Sequence, residues 1–142
     1  MNFSYHFLNL TEIVLKLLVA ALCGGMLVFD WKKSSRSSIT QELVMISLGA
    51  CLLVILWEIN FSQAVGFSII FFASMIVLIG LVSSAVIISH HGSSTGLTIA
   101  AIIWVAAGIG MSIGYSLYFI AIITTSIGYI FFRQFDEETG PE

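Results

Sequence analysis

LTIAAIIWVAAGIGMSIGYSLYFIAIITTSIGYIFF, residues 97–132, runs for 36 residues without an Asp, Glu, Lys or Arg. As one α-helix it would be about 54 Å long at 1.5 Å per residue. The hydrocarbon core of a bilayer is only about 30 Å thick, and a helix crosses it with about 20 residues. The stretch must therefore fold back on itself. The turn is expected at Gly114-Tyr115-Ser116, where glycine relaxes the helix and tyrosine suits a membrane interface. Two spans result, 97–113 and 117–132.

Working back from this hairpin, the chain alternates apolar runs with polar breaks. Residues 90–95 are a polar loop containing His90 and His91. Residues 65–89 form a third apolar run, about 37 Å long as a helix, which should tilt, or kink near Ser83-Ser84. Glu58, Asn60, Ser62 and Gln63 break it from a run at 43–57. Residues 30–40 collect Asp30, Lys32, Lys33, Arg36 and several serines, and residues 13–29 form the first span, interrupted by Lys16. The composition agrees: 58% of residues are hydrophobic, 9% are charged, and the mean hydropathy is +1.06. Soluble domains carry about a quarter charged residues, so this chain's natural solvent is lipid. The expected fold is all-α, a polytopic integral membrane bundle of five transmembrane helices. It forms one domain over 1–135, followed by a disordered acidic tail at 136–142.

Orientation follows from the basic residues. Lys32, Lys33 and Arg36 mark the first loop as cytoplasmic, and Arg133 marks the C-terminal end likewise. Both assignments require an even number of spans between them, which the 97–132 hairpin supplies. The N-terminus is then outside and the C-terminus inside. Trp57, Phe61, Tyr115 and Tyr118 fall at the outer interface, and Trp31 and Phe131 at the inner one. The net charge of −3 lies mainly in the tail, and no Lys/Arg cluster offers a nucleic-acid surface.

Little in the chain suggests catalysis. No charged residue stands near the middle of a span, which argues against an enzyme and against a simple proton or cation pathway. Cys23 and Cys51 lie in apolar runs and read as packing residues, with no metal-ligand spacing. No metal or other cofactor is expected. Glu12 and Lys16 stand one helical turn apart and read as an interfacial ion pair; the alternative is a charge that faces the bundle and binds a ligand or partner. Asp30 and Glu42 flank the basic loop as solvated helix ends or as a bridge for a divalent cation. Lys16, Asp30 and Glu42 are the candidate charged mouth. The strongest structural signal is small-residue spacing: Ala106, Gly110 and Gly114 in one run, Ala20 with Gly24 and Ala21 with Gly25 in another. Such stripes let helix backbones approach closely in lipid. They serve either internal packing or the helix of another subunit. Trp104, near mid-depth, carries an N–H that wants a partner.

The stretch Gly96-Leu97-Thr98-Ile99-Ala100-Ala101, followed by Trp104-Val105, Ala107 and Gly110, resembles the signature of the MgtC/SapB family. The first helix with Lys16 where Arg is usual, the pair Gly24-Gly25, Asp30 in place of a Glu, and Leu48-Gly49-Ala50 agree more loosely. Thr40-Gln41-Glu42 replaces the family's Arg-Thr-His, and residues 78–85 keep few of the glycines usual there. The resemblance implies a divergent relative limited to the membrane domain, in the bacterial inner membrane. It also implies a link to growth at low magnesium and to virulence. Family members are thought to modulate other membrane systems, such as the ATP synthase, and not to transport magnesium themselves.

The expected function is thus a non-enzymatic regulator or assembly subunit. It would dock helix faces bearing Gly24, Gly25, Gly96, Thr98, Ala100, Trp104, Ala106, Gly110 and Gly114 against another integral membrane protein or a second copy. The alternative is a channel or transporter subunit for a cation.

Overall fold

The structure is a computed structural model and describes residues 2–27, 36–61, 65–91 and 94–138. Among these residues it contains five α-helices: α1 (Asn2–Met26), α2 (Arg36–Phe61), α3 (Val65–Ser89), α4 (Ser94–Gly114) and α5 (Tyr118–Glu138). The hairpin in 97–132 and the bounds of the third run are as expected. Five ends run past the expected bounds by three residues or more. α1 starts well before residue 13, α2 starts within the expected 30–40 loop and ends at Phe61 inside the break expected from Glu58 to Gln63, α4 takes in Ser94 and Thr95, and α5 runs on into the expected tail. The reason is common to all five. Polar and charged residues other than Gly and Pro have adequate helix propensity, so helices continue past the apolar run that nucleates them. In the tail, Gly140-Pro141 is the first strong breaker; residues 139–142, like 28–35, lie outside the described ones.

α4 is the hub. It packs on all four other helices, most extensively on α2, and α3 is held chiefly by α4. Ile99, Ile102, Ile103, Ala106, Ile109 and Ile113 carry its buried side. α1 lies antiparallel to α2 and α4, because Gly24 and Ala20 meet Ser47 whereas Lys16 meets Gly114. Fourteen residues of α1 therefore precede Lys16 and extend about 21 Å beyond the end of α4. Large apolar side chains such as Leu22, Met45, Ile69, Leu81 and Phe119 are exposed on the outside, the inverse of a water-soluble surface. Among the described residues, three helices are long and apolar enough to cross a membrane, at Thr40–Ile59, Ile69–Ser89 and Gly96–Gly114; the apolar part of α5, Tyr118–Phe131, is shorter.

The α4–α5 turn is a Schellman motif. Tyr115 N–H donates to Met111 O, Ser116 N–H to Ile113 O, and Leu117 N–H to Ser112 O. Ser116, with φ of 62°, takes the left-handed position that glycine usually fills. A non-glycine residue there costs about 1 kcal/mol. Ser116→Gly is expected to raise the thermal midpoint in detergent, corresponding to about 1 kcal/mol of added stability.

Candidate functional site

Ser47 of α2 is fully buried where three helices meet. Its Oγ–H donates to Ala20 O of α1 at 2.9 Å. Serine in lipid needs such an acceptor, and here the acceptor belongs to a neighbouring helix. A Cβ built on Gly24 would lie 2.8 Å from Ser47 Cβ, and one built on Gly110 of α4 would fall onto the Ser47 carbonyl oxygen. One turn further along, a Cβ on Gly114 would lie 2.7 Å from Val54 Cβ. Glycine at 24, 110 and 114 thus lets α1 and α4 sit backbone-close on α2. Gly25 faces Val44 less tightly, with 3.4 Å to its Cγ2. Gly96 seats the first turn of α4 on the end of α3, where a Cβ would come within 2.8 Å of His90 Cβ. Ala100 and Ala106 are buried as well.

These contacts correct one expectation. The stripe of Ala106, Gly110 and Gly114 does not face a partner: α2 of the same chain covers it. The same holds for Gly24. Ser47 and Val54, which receive the glycines, are the residues missed in the sequence. A lone serine within the apolar run 43–57 was the available signal.

Lys16 is a second correction. Its Nζ donates to Gly114 O at 3.2 Å and not to Glu12, which is exposed. In the Schellman turn Met111, Ser112 and Ile113 carbonyls all accept backbone N–H groups. Lys16 supplies the donor for the next carbonyl, at the negative end of the α4 dipole. The same end carries a run of aromatic rings. Trp57 stacks on Phe71 with centroids 4.6 Å apart, Phe71 meets Phe72 edge-on, and Phe72 stacks on Tyr115 at 6.2 Å. Burial, and secondarily the Glu58 carboxylate, push the Tyr115 phenol above its ordinary value. Trp57 and Tyr115 therefore lie at one end of the bundle.

Of the other candidates, Asp30 lies outside the described residues, and Glu42 is exposed on the first turns of α2. No bridge between them can be drawn from the described residues. His91, with φ of 55°, ends α3, and neighbouring His90 packs against Gly96. Among the described residues no three His, Cys, Asp or Glu side chains cluster for a metal ion. Trp104 is 43% exposed and stands on the outer side of α4 with Leu97 and Ala101. Gly108 beside it has open space where a Cβ would stand. This outer face, and not the glycine stripe, is what α4 presents to its surroundings.

Two Escherichia coli proteins are similar to this chain. One, from strain K12, is described as "Putative magnesium transporter YhiD"; it is 24% identical over 134 residues, covering 90% of this chain and 62% of its own length. The other, from O157:H7, is "Uncharacterized protein YhiD" and matches over the same extent. The chain spans less than two thirds of the length of these curated relatives. No solved structure matches it. The sequence profile of the MgtC family matches residues 17–137. That match runs from the middle of α1 to the end of α5, across every helix that meets at Ser47, and the chain belongs to the MgtC family.

Proposed function

We propose that this membrane protein is a non-enzymatic regulator or assembly subunit of the bacterial inner membrane, docking the outer face of α4 on another integral membrane protein. The observation that carries this reading is Trp104: a large indole, 43% exposed, in the middle of an apolar span, beside open Gly108. An indole N–H at that depth has no water to bond, so an acceptor on a partner helix would stabilise it. Small neighbours permit that helix to approach closely. All five helices cross the bilayer in this reading, with the N-terminus outside and the C-terminus inside. The link to magnesium, named for the K12 relative, would act through the partner system.

Two features speak against a cation path through this chain. The α1–α2–α4 seam is closed by Ser47, Gly24 and Gly110. Lys16 holds a positive charge at one end of that seam, and a fixed cation repels others in a low-dielectric channel. The test is affinity purification from native membrane in mild detergent. A stoichiometric membrane partner, lost in Trp104→Ala and Gly108→Leu while both variants keep the wild-type melting curve, is the expected result. A lone monomer, together with magnesium flux in liposomes, would replace this reading with the transporter one.

A further inference from the structure

A cavity of about 480 Å³ lies between α1, α4 and α5. Leu97, Ala101 and Val105 of α4 form one wall, Ile127 and Phe131 of α5 the other, and Leu27, the residue after α1, closes it. Gly128 sets the approach of α5: a Cβ there would lie 2.8 Å from Leu27 Cδ2. The walls are apolar. Thr124 turns its hydroxyl back on Ile120 O at 2.8 Å, leaving its methyl for the cavity. Leu97, Ile127 and Phe131 are each more than half exposed, so the cavity opens sideways into the membrane.

We infer that this cavity is a binding site for one acyl tail of a bilayer phospholipid. Its dimensions select that occupant. From Leu97 to Val105 the wall is about 12 Å long, close to the hydrocarbon depth of one leaflet, about 15 Å. A partner's transmembrane helix, about 10 Å across and 30 Å long, would lie against this wall for only about two of its turns. A single file of methylenes needs no hydrogen bonds and fits such a slot. The site also lies beside the short helix. The apolar part of α5, Tyr118–Phe131, is 14 residues or about 21 Å long.

Native mass spectrometry of the full chain, extracted in mild detergent, tests the inference. One phospholipid per chain is expected to be retained. Ala101→Phe and Ile127→Trp, at exposed positions on opposite walls, should each lower the retained fraction about tenfold, because two excluded methylenes already correspond to that factor. Ala73→Phe, on the exposed side of α3, should leave it unchanged. Undiminished retention in both wall variants overturns the site, as does a wild-type chain carrying no lipid. A bound mass matching a free fatty acid overturns the phospholipid source. A tail-diazirine phospholipid on the wild-type chain provides a reading independent of variant folding. Adducts should concentrate on Leu97, Val105 and Ile127, and equal labelling of Ile70 and Val77 on α3 would overturn the inference.

Discussion

Gly110→Ala is expected to lower the stability of the bundle by up to about 2 kcal/mol, and Gly110→Leu to prevent it from folding. The reason is the nature of the atoms in the way. A Cβ at residue 110 falls onto the Ser47 carbonyl oxygen and comes within 3.0 Å of Ala50 Cβ. Neither is the loose end of a flexible side chain. Both move only if α2 as a whole moves away from α4. That movement is resisted on the far side, because Ser47 Oγ is bonded to Ala20 O and Gly24 is pressed on Ser47 Cβ. Opening one contact therefore disturbs three helices. Overpacking of this kind costs about 1–3 kcal/mol, and alanine recovers about 1 kcal/mol in helix propensity. The net sign depends on the contact, which makes controls informative. Gly49 and Gly80 have nothing within 4 Å of a built Cβ. Gly49→Ala and Gly80→Ala should leave the melting temperature unchanged or raise it, by up to about 1 kcal/mol. Thermal unfolding in one detergent, followed by circular dichroism, compares the three alanine variants with the wild type. A Gly110→Ala protein that melts at or above wild type would show that α2 and α4 are not in backbone contact.

The sequence made the helices legible because hydrophobic length is a coarse signal. The 97–132 run had to fold back whatever its neighbours did, and the position of its turn followed from Gly114-Tyr115-Ser116. Which residue bends the chain was not legible. Gly114 looks like the hinge, yet it remains helical because Val54 requires its missing side chain, and Ser116 takes the left-handed conformation. The helix ends were misjudged for a related reason: hydropathy marks where lipid is tolerated, not where hydrogen bonding stops. The small-residue stripes were found, but their direction was not. A glycine stripe reads the same whether the approaching backbone belongs to α2 or to another protein. Only the register that sets Gly24 and Gly110 on opposite sides of Ser47 decides it. The Lys16 pairing failed similarly. Glu12 is its neighbour in sequence, whereas Gly114 is 98 residues away.

Lys16→Glu is expected to destabilise the protein by about 3 kcal/mol, and Lys16→Met by about 1–2 kcal/mol, with Glu12→Gln near zero. The ammonium donates to the Gly114 carbonyl, and a hydrogen bond to a charged group contributes about 1.5–3 kcal/mol net. A cation at a partly buried helix C-terminus adds up to about 2 kcal/mol from the dipole. The two contributions overlap, since the same carbonyl carries both. Methionine keeps the apolar stem of the side chain and removes the charge together with its desolvation cost, so its loss is the smaller. Glutamate keeps a charge at the same place with the wrong sign. Its carboxylate can only accept, so it faces the Gly114 carbonyl without a donor between them. The aromatic belt of Trp57, Phe71, Phe72 and Tyr115 at this end adds apolar surroundings to that penalty. An interfacial pair between Glu12 and Lys16 predicts a different order. Exposed pairs contribute about 0–1 kcal/mol, and Glu12→Gln would then cost as much as Lys16→Met. Melting curves of the three variants in one detergent separate the two arrangements. Equal small losses for Glu12→Gln and Lys16→Met, with Lys16→Glu no worse, would return Lys16 to the membrane surface and leave the Gly114 carbonyl without its donor.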